Sequence, residues 1–220
     1  AILPVLRDAG VDPHDLLAEF GLQPGYFADP DNVIPFTTMG RIFLRCVERT
    51  GCEHFGLLVG KHSGVSVLGA IGYLVQSAPD LRTALRELSA YLHVHDGGAV
   101  VTLSEDKPMA TLGYAILSDG VEGAEQLLDV ALAIVFNMLR GLCGPGWQLT
   151  GLHFAHARPQ NPAPFRKFFG VTPEFDAEQS VLVFEARWLD HALPGADPQL
   201  HALMAQRAAE LEGATLADLV

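Results

Sequence analysis

Apolar residues recur at helical spacing over roughly the first 95 positions, then change to the alternation of strands. Asp12-Pro13 reads as an N-cap followed by proline at the first helical position, and Gly21 ends that short helix. Residues 24–35 are a turn-rich loop. Thr37 or Thr38 can cap a helix running to about Thr50, with Ile42, Phe43, Cys46 and Val47 as its apolar stripe and Gly51 as its stop. Residues 54–61 predict another short helix. Ser66 can cap a helix over 67–77, whose Gly69, Ala70 and Gly72 suit close packing against a neighbour. Asp80 caps a helix over 81–95, where Leu81, Leu85, Leu88 and Leu92 repeat at helical spacing until Gly97-Gly98.

Residues 99–103 and 110–117 are β-rich runs around the turn-like SEDKP, which predicts a hairpin. Residues 122–142 form the longest helix and are apolar on nearly every side from Leu127, so this helix should be central. Gly144-Pro145-Gly146 breaks it. Strands are expected over 149–155 and 180–185, joined through a short helix over 164–169. The order is helices, then β-β-α-β-α-β, then a helix. Hairpin connection rather than repeated βαβ units predicts an α+β fold. Its helical part, residues 1–80, packs on a mainly antiparallel sheet of about four strands with a long central helix, residues 81–196. The Pro- and Gly-rich residues 192–198 mark its end, and 197–220 form a connecting helix led by Pro198.

The chain has 220 residues, enough for one large domain. Charged residues make up 18%, below the usual ~25%, which implies a large core and apolar surface covered by a partner or a ligand. Net charge is −12, with 14 basic and 26 acidic residues and no Lys/Arg cluster beyond Arg166-Lys167. Phosphate contacts dominate affinity for DNA, so this segment alone is a poor nucleic-acid binder. Three cysteines without C-x-x-C spacing argue against a disulfide framework and fit a reducing cytosol. The longest apolar stretch, residues 127–139, is broken by Asp129 and Asn137 and is shorter than the ~18 residues of a span. No membrane association and a cytoplasmic location are expected.

Catalytic motifs are absent. Ser66 sits in GVSVLG, whereas a nucleophile elbow needs G-x-S-x-G after a strand. There is no phosphate loop and no G-x-G-x-x-G. His93 and His95 could share a metal on a strand, but the unbroken leucine period keeps them on a helix, where they diverge. No metal or cofactor is therefore expected. A binding module needs only an apolar cavity with a few placed polar groups, and the seam between helical and sheet parts is the natural place for one. Its candidate ligand contacts are Tyr73, Gln76, Tyr91, His95, Tyr114, Gln126 and Trp147.

One segment carries a family resemblance. Phe154, His156 and Pro159 form F-x-H-x-x-P, Phe168, Phe169 and Gly170 form F-F-G, and residues 193–198 read LPGADP. Upstream, LGAIGYLVQSAPDLRTAL continues the pattern, with Asp80 where Thr is frequent. These residues resemble the N-terminal effector-binding, arabinose-binding-like domain of AraC/XylS-type bacterial transcription regulators, over about residues 55–200. The resemblance implies a ligand-sensing domain that binds a small-molecule effector and forms a homodimer. DNA would be contacted only through a C-terminal helix-turn-helix domain, which this chain lacks. A start at Ala1 and a stop in ATLADLV read as an excised fragment. His156 would hold the turn after its strand or contact effector. Two rivals remain open: a metal- or cofactor-dependent enzyme built on His93 and His95, and an oligomerisation module without ligand.

Overall fold

The computed structural model describes residues 1–28, 32 and 34–217, with side chains to residue 213. The expected 24–35 loop and the ATLADLV end therefore lie partly outside the described residues. The fold is α+β. Its helices are α1 (Ile2–Asp8), α2 (Pro13–Ala18), α3 (Phe36–Thr50), α4 (Phe55–Lys61), α5 (Gly69–Ser77) and α6 (Leu81–His95) before the sheet. The hairpin β1 (Ala99–Asp106) and β2 (Met109–Ile116) leads to α7 (Ala124–Cys143). Then come β3 (Gly151–His153), α8 (Ala163–Phe169), β4 (Val181–Glu185) and α9 (Pro198–Ala217).

Most stop signals act as read. The Asp12 carboxylate accepts from the His14 N–H, and the Asp80 carboxylate accepts from the Thr83 N–H. Gly51 ends α3 with φ of 65°, in the left-handed region where a side chain costs energy. Three boundaries differ. Helix α3 starts at Phe36 behind Pro35, with no side-chain cap from Thr37 or Thr38. The predicted 67–77 helix is a 3-10 turn over Val65–Leu68 followed by α5, and Ser66 caps neither. The hairpin turn is tighter than SEDKP suggested, because Asp106 already pairs with Met109.

The sheet order is β1-β2-β4-β3, antiparallel throughout. Strand alternation points Val101, Leu112, Tyr114, Leu152, Leu182 and Phe184 inward. Register lines up Leu103, Leu112, Leu182 and Leu152 across the four strands, and Val101 sits opposite Tyr114. Aromatic rings close one end. Phe136 of α7 meets Trp147, Phe168 and Phe169, with centroids 5.8, 5.2 and 5.0 Å away. Burying each such ring contributes about 1.5–3 kcal/mol. Two cores result: a small one built mostly from α1–α4, and a larger one holding α5, α6, the sheet and most of α7.

Helix α7 is the shared wall. It is long and apolar enough to cross a membrane by composition, yet most of it is buried inside the protein. Glycines let α4 lie directly against it. A Cβ on Gly56 would stand 2.2 Å from the Gln126 carbonyl oxygen, and one on Gly60 would stand 2.6 Å from the Ala133 Cβ. Two polar side chains of α7 then clamp both ends of α4. Gln126 accepts from the Gly56 N–H at 2.8 Å and donates to the Glu53 carbonyl at 2.9 Å. Asn137 donates to the Gly60, Lys61 and Ser63 carbonyls. These are the groups a helix cannot satisfy internally at its own termini.

Candidate functional site

A cavity of about 460 Å³ opens between the helical layer and the sheet. Its walls come from Phe36, Met39 and Phe43 of α3, Leu88, Leu92 and His95 of α6, and Val101 of β1. Helix α7 closes it with Leu127, Val130, Ala131, Ile134, Val135 and Met138, while Val67 and Leu68 come from the turn before α5. Its size falls in the usual range for small-molecule pockets. The helical part of the lining is apolar because it consists of inward helix stripes, and Tyr26, Phe27, Asn32 and Ile34 join it from the segment before α3.

One polar cluster interrupts that lining. It forms where α6 ends, since the last helical residue, His95, and its C-cap, Asp96, both border the cavity. Tyr114 reaches them from β2 and donates to Asp96 Oδ2 at 2.7 Å. Asp96 Oδ1 is shielded from solvent and completes no hydrogen bond. Burial raises the Asp96 pKa, and the Tyr114 hydroxyl, His95 and the Gly98 N–H pull it part of the way back. Burial also raises the Tyr114 pKa, with the Asp96 charge adding to the effect. Burial lowers the His95 pKa, so its imidazole is neutral near pH 7. His95 is exposed at the end of α6, and it borders the cavity.

Of the eight residues singled out from sequence, His95 and Tyr114 line this cavity and the other six do not. Tyr73 and Gln76 are exposed on the outer face of α5, with Tyr73 59% accessible. Tyr91 packs against the larger core. Gln126 is the clamp on α4. Trp147 is 2% exposed in the aromatic cluster, with its Nε1 unpartnered. His156 bridges the Ala157 carbonyl, 2.9 Å from Nδ1, and Asp129 Oδ1, 3.0 Å from Nε2. Burial pushes Asp129 up to about 6, against the pull of His156. The His156 pKa is raised by the Asp129 hydrogen bond and charge, which outweigh burial, the largest single influence. The tether between Asp129 of α7 and His156, three residues past the end of β3, holds the proline turn in place. Asp96 escaped the sequence reading. Its signal was a carboxylate at the C-cap, where the helix dipole disfavours negative charge.

His93 and His95 lie on α6, as the leucine period implied. His93 points outward and pairs with Glu212 of α9 at 3.2 Å, away from the cavity. Among the described residues no three His, Cys, Asp or Glu side chains converge as a metal site. Cys46 and Cys143 are buried, and burial pushes each thiol up to about 12.

The profile of the arabinose-binding domain of AraC transcription regulators, N-terminal, matches residues 10–193. The chain belongs to this family. Two curated relatives are regulators. The HTH-type transcriptional regulator VirS of Mycobacterium tuberculosis is 24% identical over 197 residues, covering 89% of this chain and 58% of its own length. The ornithine utilization regulator of Pseudomonas aeruginosa is 24% identical over 209 residues, covering 90% of this chain and 58% of its own length. This AraC-type domain therefore spans somewhat over half of the relatives it matches. The solved structure of the transcriptional regulator CdpR from Pseudomonas aeruginosa shares the fold. Its TM-score is 0.66 at 15% identity, over 90% of this chain and 63% of that one.

Proposed function

We propose that this chain is the ligand-sensing part of an AraC-type transcription regulator, working in the bacterial cytoplasm and taking a small-molecule effector into the cavity between the helical layer and the sheet. The observation that carries the reading is the cavity itself: about 460 Å³ and largely apolar, with a polar cluster of His95, Asp96 and Tyr114 at one end and Tyr26 and Asn32 in its lining. That is the usual make-up of a small-molecule site. By this reading, residues 1–196 sense and residues 197–220 connect to a DNA-binding domain. Homodimerisation accompanies sensing, and catalysis has no part in it.

Helix α6 supplies a physical route from effector to exit. Its inner face gives Leu88, Leu92 and His95 to the cavity. Its outer face holds α9, through Glu87 to His201 at 2.9 Å and His93 to Glu212 at 3.2 Å. A ligand that shifts α6 changes how α9 docks, and the effect equals the ligand's difference in affinity for the two arrangements.

A thermal-shift screen of small amphipathic compounds tests the sensing step. A ligand present at about 100 times its Kd should stabilise the native state by about 2.7 kcal/mol. At this size that raises Tm by roughly 5–10 °C. Filling the cavity with Ala131→Phe should abolish the shift; a shift that survives would place the ligand elsewhere. In the full-length regulator, randomising the α9 sequence should uncouple promoter response from effector. An intact response would reject the coupling route.

A further inference from the structure

We propose that the cavity selects an effector with an apolar body and a protonated amine head, held at Asp96 and His95, and that it discriminates against carboxylates. The proposal rests on the sensing reading above and narrows it to a chemical class. The α3, α6 and α7 walls of the cavity are apolar, while Tyr26 and Asn32 add polar groups from the segment before α3, so the body of the ligand is largely apolar. Its polar end has an unusual balance of donors and acceptors. Tyr114 has a single hydroxyl proton, and it is already given to Asp96 Oδ2 at 2.7 Å. The Gly98 N–H also lies against the Asp96 carboxylate, and Oδ1 completes no hydrogen bond of good geometry. Among the described residues no hydrogen bond engages the His95 ring, whose neutral form offers one acceptor nitrogen. The cluster therefore presents acceptors in excess, and a head group rich in donors satisfies them. An ammonium carries three donors and one positive charge.

The charges point the same way. No Lys or Arg side chain lines the cavity among the described residues. A carboxylate ligand would meet Asp96 with no cationic side chain to offset the repulsion. A net charge of −12 on the chain also draws cations toward its openings. Asp96 Oδ1 is turned from the open space, but the terminal torsion of an Asp side chain is soft, so a small rotation presents it to a ligand. An ammonium there would complete the unmet acceptor and stabilise the ionised carboxylate that burial disfavours.

Three probes with one body separate the claims: 4-phenylbutylamine, 4-phenylbutanol and 4-phenylbutyric acid, titrated calorimetrically against the 220-residue chain at neutral pH. The amine should bind about 10- to 100-fold more tightly than the acid, the span expected of one charge-assisted hydrogen bond in a shielded site. The alcohol should fall between them. In Asp96→Asn the gap between amine and acid should close. If the acid binds as well as the amine, or the gap survives Asp96→Asn, the head-group assignment is wrong while alcohol binding still upholds the cavity. If none of the three binds, both readings fall. The comparison in the unmutated protein decides the matter even if Asp96→Asn folds poorly.

Discussion

Gln126 offers the sharpest test of how α7 organises the helical layer. It is 5% exposed, with no room to hydrogen-bond water. Its oxygen caps the buried Gly56 N–H and its nitrogen reaches the Glu53 carbonyl. Replacement by Met keeps the length of the side chain and removes both bonds. The stranded Gly56 N–H costs about 1–3 kcal/mol, as a buried donor left unpaired. The Glu53 carbonyl lies nearer the surface and recovers water, so its loss is about 0.5–1.5 kcal/mol. A total of roughly 2–4 kcal/mol follows, equivalent to a Tm lower by about 5–15 °C at this chain length. Urea unfolding followed by far-UV circular dichroism measures it: the midpoint should fall while the slope stays constant. Gln126→Ala should cost at least as much, since it adds a void. A loss below about 0.5 kcal/mol in both variants would mean that α4 does not need its cap from α7.

Gly60→Ala places a Cβ 2.6 Å from that of Ala133, so overpacking should cost about 1–3 kcal/mol in the same unfolding assay. The Asp129–His156 pair should make stability fall as pH rises. Asp129 binds its proton up to about 6 when folded against 3.8 when free, so the folded state holds more protons between those values. The His156 pKa is also raised, and its contribution is lost as pH rises through that value. Unfolding of Asp129→Asn across pH 4 to 7.5 should show a flatter profile than the parent; an equal slope would refute the assignment. Arg82→Ala removes ion pairs to Glu105 and Asp190 at the rim, and screening there limits the cost to about 0–1 kcal/mol.

The fold was legible wherever local chemistry acts alone. Asp12, Asp80 and Gly51 mark boundaries through bonds or dihedrals within a few residues, and those boundaries stand where they were read. Where tertiary contact decides, local rules failed. Ser66 looks like a cap, but the chain turns at Gly69, with φ of 55°, and starts α5 there. Thr38 looks like another, yet α3 begins at Phe36, whose ring packs against both cores. The small-residue signal read on Gly69, Ala70 and Gly72 holds at Gly72, where a Cβ would stand 2.3 Å from the Val65 carbonyl oxygen, while the similarly close approach of Gly56 and Gly60 to α7 went unread. Two glycines four residues apart on a seven-residue helix are a GxxxG spacing, and the sequence carries it plainly.

The position of the cavity was more legible than its lining, of which the sequence reading picked out His95 and Tyr114. The seam between helices and sheet follows from the order of elements, but which polar side chains reach it depends on helix phase. Tyr73 and Gln76 sit on a helix bordering the larger core, and phase turns them outward. Gln126 is on the right helix, and its face meets α4 instead. Asp96 shows the limit best. It sits next to His95, a residue chosen from sequence, and was overlooked because a C-cap carboxylate looks like a solvated stop signal. Burial changes that meaning: among the described lining residues Asp96 is the acidic side chain, answered by the Tyr114 hydroxyl, the Gly98 N–H and His95 rather than by a Lys or Arg. A helix end aimed at a cavity is therefore where a carboxylate has to be explained by what binds beside it, because neither the helix dipole nor the solvent accounts for its presence.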